Sequence, residues 1–344
     1  MSKFPDWLEG ARAAPSSYNS QPWRFAVQPN GDIEVGWDAA RTVPASDPTD
    51  QGLFLSLGAA IESACLRAAA ADRPLEFVPA GTEDTEHVGR LASAPVVEAR
   101  EDKRLAQYLS ERHTARSPHL QFAIPPVVQL ALRRETVGWG CRLHIESDRG
   151  AIRRIAALAR QAAVEQYDDP EIRAEMARWY RLAPADPENC QDGLTAECLE
   201  LRGFMLALTR WALNANSNGF TRRSTGRVMA LREWNNIRRT GAFCLLTAQS
   251  TDRADMVRAG RLLIRLWLLA VEAGLTTHAV SSVLQPADLR ERCLELFNAQ
   301  GSVPACLFRV GFTPPVAASP RLSPAQLLLA GERPAAKFGT EARR

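Results

Sequence analysis

The run Ala13-Ala14-Pro15-Ser16-Ser17-Tyr18-Asn19-Ser20-Gln21-Pro22-Trp23-Arg24-Phe25 is a stiff polar loop set between a short helical start and a strand. Pro15 and Pro22 fix φ and withhold two backbone donors, so a helix cannot run through it. What remains carries Ser16, Ser17, Asn19 and Gln21, whose side chains donate or accept hydrogen bonds. Trp23 anchors the loop from beneath. Such a loop suits holding a flat heterocycle by its edge. On residue types alone a surface turn with a core tryptophan is the better reading, and the spelling of the motif reverses that order.

Ala14-Pro15-Ser16-x-x-Asn19-x-Gln21-Pro22-Trp23-x-Phe25 resembles the signature of the nitroreductase superfamily, flavin enzymes that bind FMN at a subunit interface. Asp38-x-x-Arg41-x-x-Pro44-x-x-Asp47-Pro48 and Leu55-Ser56-x-Gly58-Ala59-Ala60 resemble the subgroup with two such halves in one chain, the Acg-type proteins. So does Arg309-Val310-Gly311-Phe312 leading to Pro320-Arg321. The resemblance runs from roughly Leu8 to Leu329. It implies an α+β, nitroreductase-like fold, one FMN per active site and two-electron chemistry.

At 344 residues the chain can bury a sizeable core, as one large domain or two intimate halves. A net charge of +3 is too small to argue for nucleic acid or an anionic membrane. The seven cysteines (65, 141, 190, 198, 244, 293, 306) are scattered, with no Cys-x-x-Cys pair. That pattern fits reduced thiols in a cytoplasm better than a disulfide framework or a zinc site. The N-terminus lacks the apolar core of a signal peptide. The greasiest run, Leu262 to Leu275, is broken by Arg265 and Glu272 and reads as a buried helix rather than a membrane span.

Arg24–Val27 and Asp32–Trp37 flank Pro29-Asn30-Gly31, a hairpin signal. Leu53 to Ala71 is apolar on most faces and predicts a central helix. Strands are expected at Leu75–Pro79 and Pro95–Ala99, and an amphipathic helix over Glu101 to Glu111. A repeat then appears. Thr49-Asp50 and Gly58 recur as Thr251-Asp252 and Gly260, both shifted by 202 positions (251 − 49 and 260 − 58). At the same offset the helix-to-strand switch recurs, Glu76-Phe77-Val78 meeting His278-Ala279-Val280. The register predicts a diverged duplication, two halves (1–105 and 106–344) forming a pseudo-dimer about a pseudo-two-fold axis. Between Ala151 and Leu231 lies a helical excursion without counterpart in the first half. Helices are expected near Ala151–Gln166, Pro170–Arg181 and Ala196–Asn216, with a break at Ala183-Pro184-Ala185-Asp186-Pro187. Beside a cofactor pocket it would be a lid; packed outside it would be a buttress. The polar tail beyond Ala330 reads as mobile.

For the FMN phosphate, Arg112-His113-Thr114-Ala115-Arg116 resembles the family's Arg-Arg-Ser-x-Arg motif, with His113 and Thr114 as replacements. Arginine forks match phosphate oxygens, each charged hydrogen bond being worth about 1.5–3 kcal/mol. Arg309 and Arg321 fall where the family places further basic ligands, Arg321 being the better match. For the ring, Ser16, Ser17, Asn19 and Gln21 would lie along one edge. The second wall, by resemblance, is Gly274 to Ser281, including Thr277, Ala279, Val280 and Ser281, with backbone amides facing the flavin N5. His278 is a candidate proton donor, or equally a structural histidine. One complete set split across one chain implies one FMN per polypeptide, in a monomeric pseudo-dimer or a weak homodimer.

Gly138-Trp139-Gly140 lacks the third glycine of a dinucleotide fold, and the five histidines lack metal spacing. The arginines at 222, 223, 227, 232, 238 and 239 have no interleaved aromatic pattern for nucleic acid, and read as a solvated helix face. Trp179, Tyr180, Phe204 and Trp211 are candidates to close over the exposed ring face. The function expected from the resemblance is hydride transfer between a reductant such as NAD(P)H and a small electron-poor organic substrate. Alternatives are a dehydrogenase of a biosynthetic intermediate that passes electrons to oxygen, and a flavin-sequestering protein with a closed lid.

Overall fold

The computed structural model describes residues 4–81, 84, 86–96, 100–183, 190–213, 219–314 and 316–329, with the side chains of 219–225 outside that description. After α1 (Asp6–Arg12) and the polar loop come β1 (Trp23–Val27), β2 (Ile33–Trp37), α2 (Gln51–Ala70), β3 (Leu75–Pro79) and β4 (His87–Ser93). These strands form an antiparallel sheet in the order β1-β2-β4-β3. Gly31, with φ of +88°, lets the first hairpin turn, the conformation glycine adopts at no steric cost. Asp47 accepts from the amides of Gly52 and Leu53 and so satisfies two orphan donors at the start of α2. By length and composition α2 is apolar enough to cross a membrane. In the fold it is the core, packed between α1 and a second long helix.

That second helix belongs to the next unit. Along it run α3 (Arg100–Ala106), α4 (Pro126–Glu135), β5 (Arg142–Glu146), α5 (Arg149–Asp168), α6 (Pro170–Trp179), β6 (Tyr180–Arg181), β7 (Leu194–Thr195), α7 (Gly203–Ala212) and α8 (Gly219–Ile237). Then follow β8 (Ala242–Ala248), α9 (Arg253–Glu272), β9 (Thr276–Ala279), α10 (Ala287–Leu296), β10 (Val303–Gly311) and α11 (Pro324–Leu327). The second sheet is also antiparallel, in the order β5-β8-β10-β9. Read by position it matches the first strand for strand, with α9 where the first unit has α2. Both helices have 20 residues and their bounds differ by the same 202 positions (253 − 51). They cross at Gly58 and Gly260, where backbones meet too closely for a side chain. Glu62 of α2, buried, forms ion pairs with Arg261 and Arg265 of α9 at 2.9 and 2.8 Å.

Where the first sheet has a tight hairpin, the second inserts α5 to α8 between β5 and β8. The insertion has an apolar core of its own, built on Tyr167, Met176, Leu182, Leu194 and Met229, against which Tyr18 of the opening loop packs. Past β10 the chain crosses back to the first sheet. Leu328 pairs in parallel with Phe25, and the Leu329 amide donates to the Phe25 carbonyl at 2.8 Å. The edge of β1 is thereby covered.

Several local expectations are corrected. The strand after β3 is His87–Ser93, not Pro95–Ala99; Pro95 cannot donate to a ladder, and residues 97–99 lie outside the described part. The helix expected over Glu101–Glu111 ends at Ala106 and continues as turns. The helix expected from Ala196 begins only at Gly203, where φ is +50°, and its end near Asn216 lies outside the described residues. So do the break at 184–187 and the tail beyond Ala330.

Candidate active site

A cavity of about 360 Å³ lies between the opening loop, the first turns of α2, residues Thr114 and Arg116, the end of β9 and the inserted helices. Of the residues expected to hold a cofactor, Ser16, Ser17, Thr114, Arg116, Ala279, Val280 and Ser281 line it, as does His278. The others are not among its lining residues.

The opening loop is strained into shape. Tyr18, Asn19 and Gln21 have φ of 50°, 56° and 51°, a left-handed conformation that costs a non-glycine residue about 1–3 kcal/mol. Its side chains hold it there. Ser16 Oγ accepts from the Gln21 amide at 2.9 Å; Asn19 Nδ2 donates to the carbonyls of Gly193 and Pro320 at 3.0 and 2.8 Å. Gln21 Nε2 donates to Gln191 O at 3.1 Å, and its Oε1 accepts from the Leu322 amide at 2.9 Å. Asn19 and Gln21 therefore do not lie along the cavity edge as expected. Their amides are used inward, clamping the loop between the insertion and the returning C-terminal segment. Tyr18 lines the cavity in their place.

Behind the loop sits a cluster of buried cations. Arg112 lies over the Trp267 ring at 5.8 Å and donates from Nη2 to Ala13 O at 3.2 Å. Its Nε and Nη1 are buried without a partner among the described residues. Arg321 donates to the same carbonyl at 3.2 Å and to Asn19 Oδ1 at 3.3 Å. Burial pushes Arg112 down to about 10; burial, then Arg112 and Arg12, push Arg321 down to about 9. His113, half-buried beside them, is lowered by burial and by both guanidiniums. Arg116 is fixed by a bond from Nη1 to Cys198 O at 3.2 Å, and burial lowers it too.

Arg309 is a different case. It donates to His278 Nδ1 at 3.1 Å, Asn236 O at 2.8 Å, Ala115 O at 2.9 Å and Ser117 O at 2.8 Å. It is a strut between β10, α8 and the Arg112–Ser117 segment, with four of its five N–H donors bonded within the chain, and the expectation that it grips a phosphate is withdrawn. A guanidinium can only donate, so His278 Nδ1 is an acceptor and the ring proton is on Nε2. Burial, Arg309 and Arg116 keep this imidazole neutral, with its pKa well below the ordinary histidine value. His278 is thus no acid at neutral pH, which corrects its candidacy as a proton donor. Thr277 Oγ1 is buried and unpartnered, and its carbonyl accepts from the Ala115 amide at 3.1 Å. The Val280 amide, expected to face a ring, donates to Leu307 O at 2.7 Å instead.

Tyr180 lines the cavity, as do Arg232 of the arginine-rich stretch and Tyr167 and Glu233, the last two unmarked by any motif. Trp179 is buried with the guanidiniums of Arg41, Arg178 and Arg181 around its ring, while Phe204 and Trp211 face outward. Within the arginine-rich stretch, Arg232 Nη2 donates to Leu199 O and Glu200 O, and Arg238 stacks on Trp234 at 4.8 Å. The side chains of Arg222 and Arg223 lie outside the described part.

No family model matches the chain. It is 25% identical over 328 residues to an uncharacterized protein of Mycobacterium tuberculosis, covering 90% of this chain and 87% of that one. It is 24% identical over 317 residues to the M. tuberculosis protein named "Putative NAD(P)H nitroreductase acg", covering 90% and 89%. The likeness therefore runs almost end to end in both. Among solved structures, the FMN-dependent nitroreductase NfnB of Mycobacterium smegmatis in complex with NADPH aligns with a TM-score of 0.41 and 12% identity, over 65% of this chain and 96% of that one.

Proposed function

We propose that the chain is an FMN-dependent oxidoreductase of the nitroreductase superfamily, a pseudo-dimer folded from a single polypeptide with one cofactor between its halves. The observation that carries this is Arg112. A buried guanidinium with two unpartnered nitrogens, next to Arg321 and with no acidic side chain among the described residues offsetting its burial, is costly unless an anion completes it. A phosphate dianion is such an anion. Arg112, Arg321, His113 and the Thr114 hydroxyl would hold it. The flat ring would then extend into the adjoining cavity, against Ser16 and Ser17 on one side and Ala279 to Ser281 on the other. The full-length relationship to proteins named as NAD(P)H nitroreductases supports the same reading.

When bound, FMN supplies two-electron chemistry, taking a hydride from a reductant such as NAD(P)H and passing it to a small electron-poor organic substrate. The chain's own part is to fix the ring edge with a prestrained loop, balance the phosphate charge and exclude water with α5 to α8, which would act as the lid. All seven cysteines carry free thiols, which suits a reducing cytoplasm.

The test is direct. Purified protein is titrated with FMN, then exposed anaerobically to NADPH. Saturation at one FMN per chain and bleaching of the flavin absorbance are expected. A colourless protein that cannot be reconstituted overturns the proposal, and saturation at two overturns the shared-site arrangement.

A further inference from the structure

α7 is apolar where a surface helix is ordinarily polar. Its outward row is Phe204, Ala207 and Trp211, at the i, i+3, i+7 spacing of one helix face. All three are exposed, Phe204 by 76% and Trp211 by 39%, and Leu208 lies half-buried beside them. The opposite face is spent on the fold. Met205 and Leu206 pack on the apolar core of the insertion, Ala212 is buried, and buried Thr209 donates to the Met205 carbonyl at 2.8 Å. Only Thr209 and Arg210 of this helix are polar. α8, packed alongside, exposes Val228 and Leu231, one turn apart. A single exposed apolar side chain needs no explanation, but a row of them signals an interaction surface.

The charge around this surface indicates what it meets. The whole chain carries only +3, yet between Glu200 and Glu233 it has arginines at 202, 210, 222, 223, 227 and 232 and no acidic residue. Arg232 is turned inward to the carbonyls of Leu199 and Glu200. Arg202 at the N-cap of α7 and Arg227 beside Val228 are exposed. So is Arg210, which donates from Nε to Leu182 O at 2.9 Å. An apolar row flanked by cations matches an anionic lipid surface in both its layers, acyl chain and headgroup. Nucleic acid fits less well, because Ala207 and Leu208 between the two aromatics offer no ring on which a base could stack.

We propose that the outer face of α7, with Arg227, Val228 and Leu231 of α8 beside it, docks on an anionic lipid membrane. Phe204 and Trp211 enter the boundary between headgroups and acyl chains, while Arg202, Arg210 and Arg227 reach the lipid phosphates. One helix face is a small area, so the attachment is peripheral and reversible. It also brings the insertion, and the cavity beneath it, against the lipid. Leu199, Leu201 and Met229 belong both to the apolar core under α7 and to the cavity wall. The inference does not depend on the flavin reading.

Flotation of the full-length chain with vesicles tests this. Vesicles of equal parts phosphatidylglycerol and phosphatidylcholine should carry the protein, phosphatidylcholine alone should not, and added salt should weaken the binding. Arg202→Gln with Arg227→Gln should lower affinity about 30-fold, at about five-fold per charge near an anionic surface. Phe204→Ser with Trp211→Ser should lower it by about 10-fold or more, with the melting temperature nearly unchanged because both side chains already meet water. No flotation, or flotation that neither pair of substitutions weakens, overturns the proposal. So does a chain that binds single-stranded RNA through these residues instead, or one that pairs with a second copy through them and leaves the vesicles bare. Flotation is expected with or without FMN, so its failure and a failure to take up flavin are read separately.

Discussion

Gly58 of α2 and Gly260 of α9 press against each other's helix reciprocally. A Cβ on Gly58 would lie 2.1 Å from Val257 O, and one on Gly260 would lie 2.1 Å from Leu55 O. Val257 is three residues before Gly260, and Leu55 is three before Gly58. The same contact is thus made twice, as a two-fold axis through the crossing would require.

Neither carbonyl can retreat without bending a buried helix. Gly58→Ala and Gly260→Ala are each expected to cost about 3 kcal/mol, the upper end of what overpacking a core does. Urea denaturation would measure it. Because one shift of the helices relieves both clashes, the double variant should cost clearly less than the sum of the two singles.

Arg112 separates cofactor binding from folding. Arg112→Met removes a buried charge that has one protein hydrogen bond, so the flavin-free protein should melt no lower than the native one. Its affinity for FMN should fall about 10- to 150-fold, the loss of one charged hydrogen bond of 1.5–3 kcal/mol. Equal melting with unchanged FMN affinity would refute the phosphate assignment.

The loop's strain is measurable at Gln21. Both Gln21→Ala and Gln21→Gly lose the bonds to Gln191 and Leu322, but only glycine relieves a φ of 51°. Thermal unfolding should therefore rank Gln21→Gly above Gln21→Ala by about 1 kcal/mol.

His119 sets a pH dependence. It is buried, with Nδ1 at 3.2 Å from Thr240 Oγ1 and Nε2 unpartnered, and burial followed by Arg309 lowers it to about 3. The unfolded chain binds this proton below about pH 6.5, and the folded chain does not until about pH 3. Stability therefore falls with decreasing pH across that window, by about 1.4 kcal/mol per pH unit from this residue. In His119→Asn, denaturation midpoints between pH 6 and pH 4 should lose that share of the slope. An unaltered slope would show that His119 protonates in the folded state.

The fold was legible where periodicity and punctuation agree. The hairpin at Asn30-Gly31, the apolar α2 and the 202-residue register all lie in local pattern, and β3 falls where its residues predict. The inserted region was legible as helical, with α5 and α6 within two residues of their expected bounds and α7 starting seven residues late; α8, rich in arginine and polar residues, takes its order from packing against α5 and α7. For the site, residue types indicated which segments meet but not where side chains point. Asn19 and Gln21 looked available because nothing local reveals that residues 190–193 and 320–322 come back to claim them. Glu233 was invisible for a similar reason. A glutamate amid arginines reads as a solvated pair until the fold places those arginines on distant carbonyls.

Arg321 and the strand-like pairing of Leu328 with Phe25 come after both sheets in the sequence, yet they complete what α1, the opening loop and β1 begin. During synthesis the ribosome must therefore pass residue 329 before the opening loop can be clamped. Until then the N-terminal sheet waits with a bare edge, in need of shelter, and a chain stopped early would lack both its seal and its second arginine.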